Sequence, residues 1–377
     1  MLADGVDRTH TDVVSAYHHR MTPEPLPVIH VAGSHREVGR QMGEAARDTI
    51  RERTEHAWDD LPAGRTKAAQ LALAGEYRAF TAPRLPWLMD ELDGCAEGAG
   101  VDPLELFATS IEEIWYEPRT RVTQGRCTDL VAGPAATANG HLLVAHNNDL
   151  NPSAEPRIVA IEKRVPGDPV ILQIGGVPVL SVGFNSAGLA LTGNELSPND
   201  ERLGISRDHQ VLEMMRARSL GEMLGMSLRT DRASSYNNVL TSAGGGVANV
   251  EGSATDAEVT GLDESGHLAH TNHYVCDRMK PYEGDPDYAV HSQIRFDRGR
   301  ELLAAQPPGS ITMEGLRAML ADHQTKPDSL CKHPEFGTPG SKTVFWVVAD
   351  VTEGRILFGR GNPCDSLAQE YVFENHG

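Results

Sequence analysis

The chain has 377 residues, 40% of them hydrophobic, which is enough for one large layered core or two smaller ones. Its 53 acidic residues against 34 basic give a formal net charge of −19, a field that repels both a phosphate backbone and an anionic membrane surface. No run approaches the ~18 consecutive apolar residues of a membrane helix. The five cysteines, Cys95, Cys127, Cys276, Cys331 and Cys364, lack the paired spacing of a disulfide framework. Met1 to Gly5 has no apolar stretch of the kind a secretory signal carries. A soluble cytoplasmic protein that binds neither nucleic acid nor membrane is the expectation.

Residues 1 to 28 lack periodicity and read as a loosely held leader. A helix is predicted from Ser34 to about Trp58, with Val38, Met42, Ala45 and Ile50 on one side and a capping box of Ser34 with Glu37 at its start. Thr66 to Phe80 and Pro86 to Ala99 read as two more helices, the second stopped by Gly-Ala-Gly. Asp102-Pro103 has the form of an N-cap and first turn for a helix reaching Trp115. After Arg119 the texture changes to short β-type runs at hairpin spacing: 141–145, 157–161, 170–174, 177–182 and 188–191. A helical stretch over 206–228 follows, then strands near 237–240, 246–251, 257–262 and 267–270. Helices at 291–303 and 313–323 and a last hairpin, 343–349 with 355–358, close the chain. Such a series lacks the crossover helices a parallel sheet requires, and predicts an α+β layered fold.

Cys127, in Gln124-Gly125-Arg126-Cys127-Thr128-Asp129, sits where the helical block gives way to the first β-run. A cysteine there is by itself more often a small buried thiol than a nucleophile. Around it stand further segments: Gly33 to Gly43 with glycines at 33, 39 and 43, Glu91 to Val101, Ala145-His146-Asn147-Asn148-Asp149, and Gly183-Phe184-Asn185-Ser186-Ala187-Gly188-Leu189-Ala190. Asn194, His270-Thr271-Asn272-His273 and Thr343-Val344-Phe345 follow in order. In their collinear order these pieces resemble the acyl-coenzyme A:6-aminopenicillanic acid acyltransferase family of N-terminal-nucleophile (Ntn) hydrolases.

The resemblance implies a four-layer αββα sandwich of two mainly antiparallel sheets flanked by helices. It also implies a precursor that cuts its own backbone between Arg126 and Cys127. Residues 1–126 would become a helical α chain and 127–377 a catalytic β chain, the two forming one compact unit. Cys127 would be the nucleophile, Asp149 would hold the new α-amino group, Asn272 would support the amine or the oxyanion, and Thr128 would position the nucleophile. In the more distant bile-salt and penicillin V hydrolases an Asn after a similar strand serves the oxyanion hole, a role that falls here on Asn194. Such a reaction uses no cofactor and no metal. Its partners are a small-molecule amide, an acceptor amine or acyl-CoA where the acyl group is transferred, and the two fragments themselves; a homo-oligomer is compatible with it.

Three positions depart from the family pattern. Arg126 stands where Gly usually precedes the nucleophile, Lys342 stands near the place of a functional Arg, and His146 replaces Gln. A Cys–His hydrolase that never cuts itself, with His146 or His273 activating Cys127, is the rival enzyme reading, and a catalytically silent ligand-binding member of the fold is the non-enzymatic one. A metal site at His270 and His273 is disfavoured, because their spacing is not the helical His-x(3)-His and no Cys pair assists.

Overall fold

The computed structural model describes residues 24–59, 61, 64–115, 126–336 and 341–374. Most of the leader read over residues 1–28 lies outside that range, as do Arg119, Gln124, Gly125 and Gly340. Two sheets make the centre. The first has eight strands in the order β1 (Val28–Ala32), β4 (Val159–Arg164), β5 (Ile171–Gly175), β6 (Val182–Asn185), β7 (Leu189–Asn194), β8 (Asn237–Ser242), β9 (Val247–Gly252) and β10 (Ala257–Thr260). The second has six, in the order β11 (His267–His270), β2 (Arg126–Ala132), β3 (Leu143–Leu150), β12 (Lys342–Asp350), β13 (Arg355–Arg360) and β14 (Gln369–Val372). All pairings between these strands are antiparallel except β1 with β4.

Strand alternation sorts the side chains into layers. Val131, Val144, Val347, Ala160, Leu172, Phe184 and Ala190, drawn from both sheets, form one buried cluster between them. The other face of the second sheet, with Leu130, Leu143, Ala145, Trp346 and Val348, packs on helices α8 (Pro286–Ala304) and α9 (Met313–Leu320). The outer face of the first sheet is covered by α1 (His35–Ala45), α2 (Arg47–His56), α3 (Lys67–Thr81), α4 (Pro86–Ala99), α5 (Pro103–Thr109), α6 (Arg207–Met214) and α7 (Leu220–Ser227). The result is the expected α+β arrangement, helices–sheet–sheet–helices.

The helix predicted over 34–58 is two helices. Its capping box forms, but the backbone kinks at Ala46 (φ −108°, ψ 22°), and the kink lets Ile50 join Val38 and Met42 in one core cluster. The helix predicted over 206–228 is also broken. Asn185 Nδ2 donates to the carbonyls of Met215 and Ala217, each at 2.9 Å, which holds that backbone out of a helix until Ser219 caps α7. The helix started by Asp102 ends at Thr109 rather than Trp115, where the Thr109 and Ser110 hydroxyls bond to the Leu106 and Phe107 carbonyls. Residues 177–181 are not strand: Pro178 has no N–H to give a ladder, and β6 starts at Val182. Strands β1, β2 and β14 were not predicted.

The glycines of the first two motifs have a packing reason. A Cβ on Gly39 would stand 2.0 Å from the Glu91 carbonyl oxygen, and one on Gly43 2.1 Å from that of Cys95. From the other side, Cβ atoms on Gly94 and Gly98 would meet the carbonyls of Arg36 and Arg40 at 2.2 and 2.1 Å. Helices α1 and α4 therefore touch backbone to backbone, which only hydrogen side chains permit. Gly75, inside α3, has open space around it. Gly43→Ala should cost about 1–3 kcal/mol or more through overpacking, whereas Gly75→Ala should be neutral or stabilise by about 0.5–1 kcal/mol. Urea unfolding of the two variants checks this, and equal midpoints for both would contradict the backbone contact.

Candidate active site

The antiparallel register of β2 and β3 sets Cys127 opposite Asn148, Asp129 opposite His146 and Val131 opposite Val144. Since Val131 and Val144 face the layer between the sheets, these polar pairs extend the same face toward one end of it. They form a buried row. Asn148 Nδ2 lies 3.6 Å from Cys127 Sγ and 3.5 Å from His146 Nε2, and His146 Nδ1 is 3.0 Å from Asp129 Oδ1. His146 does not touch the sulfur directly; the Asn148 amide stands between them.

Around the Cys127 backbone the contacts are closer. Its N–H donates to Asn272 Oδ1 at 2.8 Å, and its carbonyl accepts from Arg295 Nη1 at 2.7 Å. The same guanidinium reaches Thr128 Oγ1 at 3.3 Å, Asn272 Oδ1 at 2.9 Å and the Tyr288 hydroxyl at 3.2 Å. Arg295 comes from α8, on the outer face of the sheet, and its side chain is fully buried. Asn272 is fixed in turn, its Nδ2 donating to the Glu195 carbonyl and its backbone N–H to Ser292 Oγ.

Asp149 is opposite Arg126 in the ladder and faces the helical side. Thr343 Oγ1 donates to its Oδ1 at 2.6 Å, next to a bulge in the β3–β12 ladder between Thr343 and Phe345. Its Oδ2 has no hydrogen bond among the described residues. Burial raises the Asp149 carboxyl above the usual carboxylate range, opposed by the charges of Arg295, Lys332 and Arg126. Lys332 is itself buried, and burial lowers its amine to about 8. The expected Lys342 is at the mouth of β12 and pairs with Glu155, so the cations gathered at Asp149 are Arg295, Lys332 and Arg126.

Across the layer, Asn194 at the end of β7 shares the inward face of Ala190. Its Oδ1 is 2.9 Å from His270 Nδ1 and accepts from Asn237 Nδ2 at 3.3 Å, while its Nδ2 is buried without a partner among the described residues. His270 pairs with Asp129 in the β11–β2 ladder, which brings this amide N–H to the end of the layer where Cys127 lies. The motif Gly183–Ala190 makes the β6–β7 hairpin that aims β7, with Asn185 Oδ1 closing the turn on the Ala187 and Leu189 N–H groups. His273 bonds to Ser292 Oγ at 2.8 Å and stands edge-on to Phe296; burial, with His270 beside it, lowers its imidazole to about 4.

Cys127 is 6% exposed. Burial pushes its thiol well above the ordinary value, and the negative charges of Asp149, Asp129 and Glu195 push the same way against Arg295. Burial and these charges together oppose ionisation of the sulfur. A cavity of about 460 Å³ opens at the sheet edges between β9, β10, β11 and α8, with Glu251, His270 and Phe296 in its wall, but Cys127 is not part of that wall.

Residues 135–365, more than half of the chain, match the family described as acyl-coenzyme A:6-aminopenicillanic acid acyl-transferase. Among solved structures, a mutant of conjugated bile acid hydrolase from Clostridium perfringens is similar with 13% identity and a TM-score of 0.37, over 66% of this chain and 98% of that one. Penicillin V acylase from Agrobacterium tumefaciens is similar with 14% identity and a TM-score of 0.43, over 62% and 83% of the two chains.

Of the residues singled out by sequence, the structure brings Cys127, Thr128, Asp149, Asn272 and Asn194 to one end of the inter-sheet layer or its immediate surroundings. Arg295, Asn148, Tyr288 and Lys332 were missed. Arg295→Met should leave the Cys127 carbonyl and the Asn272 amide oxygen without that donor and lower stability by about 1–3 kcal/mol or more. Arg295→Lys should recover only part of this, because a single ammonium cannot span the fork. Equilibrium unfolding in urea reads both, and full recovery by Lys would show that charge alone is needed.

Proposed function

The chain belongs to the acyl-coenzyme A:6-aminopenicillanic acid acyl-transferase family of enzymes, and on that premise we propose that it is a self-processing Ntn amide hydrolase or acyltransferase with Cys127 as nucleophile. The observation that carries the reading is the grip on the Cys127 backbone nitrogen. Asn272 Oδ1 accepts from the one atom that becomes a free α-amine if the Arg126–Cys127 bond is cut, and Arg295 fixes the carbonyl on the other side of the residue.

Self-cleavage starts with Cys127 Sγ attacking the Arg126 carbonyl carbon. The C–N bond breaks, the thiol proton ends on the departing nitrogen, and Arg126 is held as a thioester on Sγ. Water then releases the Arg126 carboxylate, leaving a thiol and an amine on one residue. Ordinary values near 8.5 for the thiol and 7.7–8.0 for the amine make that proton exchange nearly balanced. Before the cut, the thiol is buried among anions and no base touches it among the described residues; afterwards the amine is a base on the same residue. The two fragments stay together, because β1 lies in the first sheet beside β4, and α1, α4 and α5 share core clusters with that sheet.

In turnover, the amine takes the thiol proton and the thiolate attacks the substrate's amide carbonyl. The Asn194 Nδ2–H, unengaged among the described residues, is the donor for the tetrahedral oxyanion. The leaving amine departs with the proton, an acyl thioester remains on Cys127, and water or an acceptor amine resolves it. Water is the default acceptor, so hydrolysis of a small-molecule amide is the favoured reaction; transfer from acyl-CoA would use the same residues. The bonded pair of His146 and Asp129, one side chain away from Sγ, favours as second reading a chain that stays uncut, with His146 taking the thiol proton after its ring moves onto Sγ in place of the Asn148 amide.

Denaturing electrophoresis with N-terminal sequencing separates the two. Self-processing gives a fragment beginning at Cys127, and Cys127→Ala gives one uncut, inactive chain. A single intact band from active protein would sink self-processing and promote the His146 reading. On a panel of N-acyl amides, Asn194→Ala should lower kcat by about 10²–10³ with normal self-cleavage and a modest change in KM, and an unchanged kcat would remove Asn194 from the oxyanion hole.

A further inference from the structure

On the outer side of the second sheet, next to the catalytic end, four side chains from three separate segments converge. His323 follows α9, Cys331 and His333 flank Lys332, and Cys364 follows β13. One ligand-type atom from each lies within 4.8 Å of all the others. The two sulfurs are 3.7 Å apart, each sulfur is 3.4 Å from His333 Nε2, and His323 Nε2 is 3.2 Å from His333 Nε2.

These groups have little reason to gather like this on their own account. A disulfide needs sulfurs about 2.05 Å apart, and two imidazole nitrogens facing each other can share only one proton. The distances do match the edges of a metal tetrahedron. With Zn–S near 2.3 Å and Zn–N near 2.0–2.1 Å, regular geometry puts the sulfurs about 3.7–3.8 Å apart and the nitrogens about 3.3–3.4 Å apart.

We propose that His323, Cys331, His333 and Cys364 bind one zinc ion in a closed, structural Cys2His2 site. Two thiolates and two imidazoles form a donor set that selects zinc among the common divalent ions and leaves no open position for chemistry. Two thiolates also balance the charge of the dication. The surroundings are those of a supported site. Asn362 Nδ2 donates to Cys331 Sγ at 3.2 Å and to the Lys332 carbonyl at 2.7 Å, and Glu335 Oε1 is 3.3 Å from His333 Nδ1. The Phe336 ring covers both imidazoles, at 5.4 and 4.8 Å between centroids. The Cys331 N–H donates to the Asp322 carbonyl, tying the two ligand segments before any ion binds.

The site has a consequence for Asp149. Fixing residues 331 and 333 fixes the backbone of Lys332, whose N–H donates to Thr343 Oγ1 at 2.9 Å and whose carbonyl accepts from the Thr343 N–H. Thr343 Oγ1 then donates to Asp149. The ion is a clamp two hydrogen bonds from the carboxylate, and this positioning role rests on the function proposed above, whereas metal binding does not.

Elemental analysis of the full chain, purified under reducing conditions without chelator, should find about one zinc per chain, in the Cys127→Ala chain as well. The variants Cys364→Ser and His323→Ala should each lose zinc to a chromophoric chelator far more readily than the parent. Cys364 is exposed, so its Ser variant should stay folded. Cobalt(II) added after zinc is stripped should give the strong visible bands of tetrahedral cobalt and a thiolate-to-cobalt charge-transfer band, both absent in Cys364→Ser. Stripping should lower Tm, and zinc should restore it. A chain that holds no stoichiometric zinc and keeps its Tm in chelator, an octahedral cobalt spectrum without charge transfer, or a native Cys331–Cys364 disulfide by mass would each overturn the proposal. Normal metal content in an inactive chain would instead count against the proposed function alone.

Discussion

One buried guanidinium organises the end of the inter-sheet layer where Cys127 lies. Arg295 reaches through from α8 and binds the Cys127 carbonyl, the Thr128 hydroxyl, the Asn272 amide oxygen and the Tyr288 hydroxyl. A buried charge is costly unless its donors are used, and here its two terminal nitrogens make four contacts. That requirement links β2 to the segment after β11 and to α8, with Asn272 and Arg295 lying 145 and 168 residues beyond Cys127. It also fixes the residue proposed as nucleophile on both sides, through the carbonyl directly and through the amide N–H by way of Asn272.

Around that fork the electrostatics divide along the sheet. Burial, then Asp149, Asp129 and Glu195, raise the Cys127 thiol, while Arg295, Lys332 and Arg126 oppose the rise that burial gives the Asp149 carboxyl. Burial and the three carboxylates all oppose ionisation of that thiol. The proposed cut of the Arg126–Cys127 bond would supply a base, the freed α-amine, on the same residue. The cluster of His323, Cys331, His333 and Cys364 acts on the same region through the Lys332 backbone, so that the proposed ion would stabilise a loop whose own apolar burial is slight.

The scaffold behind the site is set by close approach. Gly39 and Gly43 on α1 face Gly94 and Gly98 on α4, and these two helices pack as one slab over the β1–β4 edge of the first sheet. β1 pairs with β4 in parallel, the chain passing between them through this helical block and through β2 and β3. At the other end, Asn185 both closes the β6–β7 turn and breaks the α6–α7 segment, which gives the Gly183–Ala190 motif a structural duty.

The sequence alone carried the α+β class, the capping box at Ser34, the Gly-ended helix 86–99 and the alternation that marks most strands, because each depends on neighbours within a few residues. Family-like motifs added Cys127, Asp149, Asn194 and Asn272. Its limits were equally local. Nothing near Ala46 marks the kink, since the cause is a core shared by Val38, Met42 and Ile50; nothing near Arg295 or Lys332 distinguishes them from surface cations until the fold buries them. Asn148 and Asp129 join the row only through the β2–β3 register, which a one-residue slip would turn to the opposite face. The four metal-type side chains, drawn from residues 323 to 364 without a paired-cysteine motif, converge only when a helix end, a loop and a strand end meet. Composition and periodicity thus decided which residues are buried and in what kind of element, while tertiary structure decided which buried polar groups face one another, because register and crossing geometry are set by distant packing.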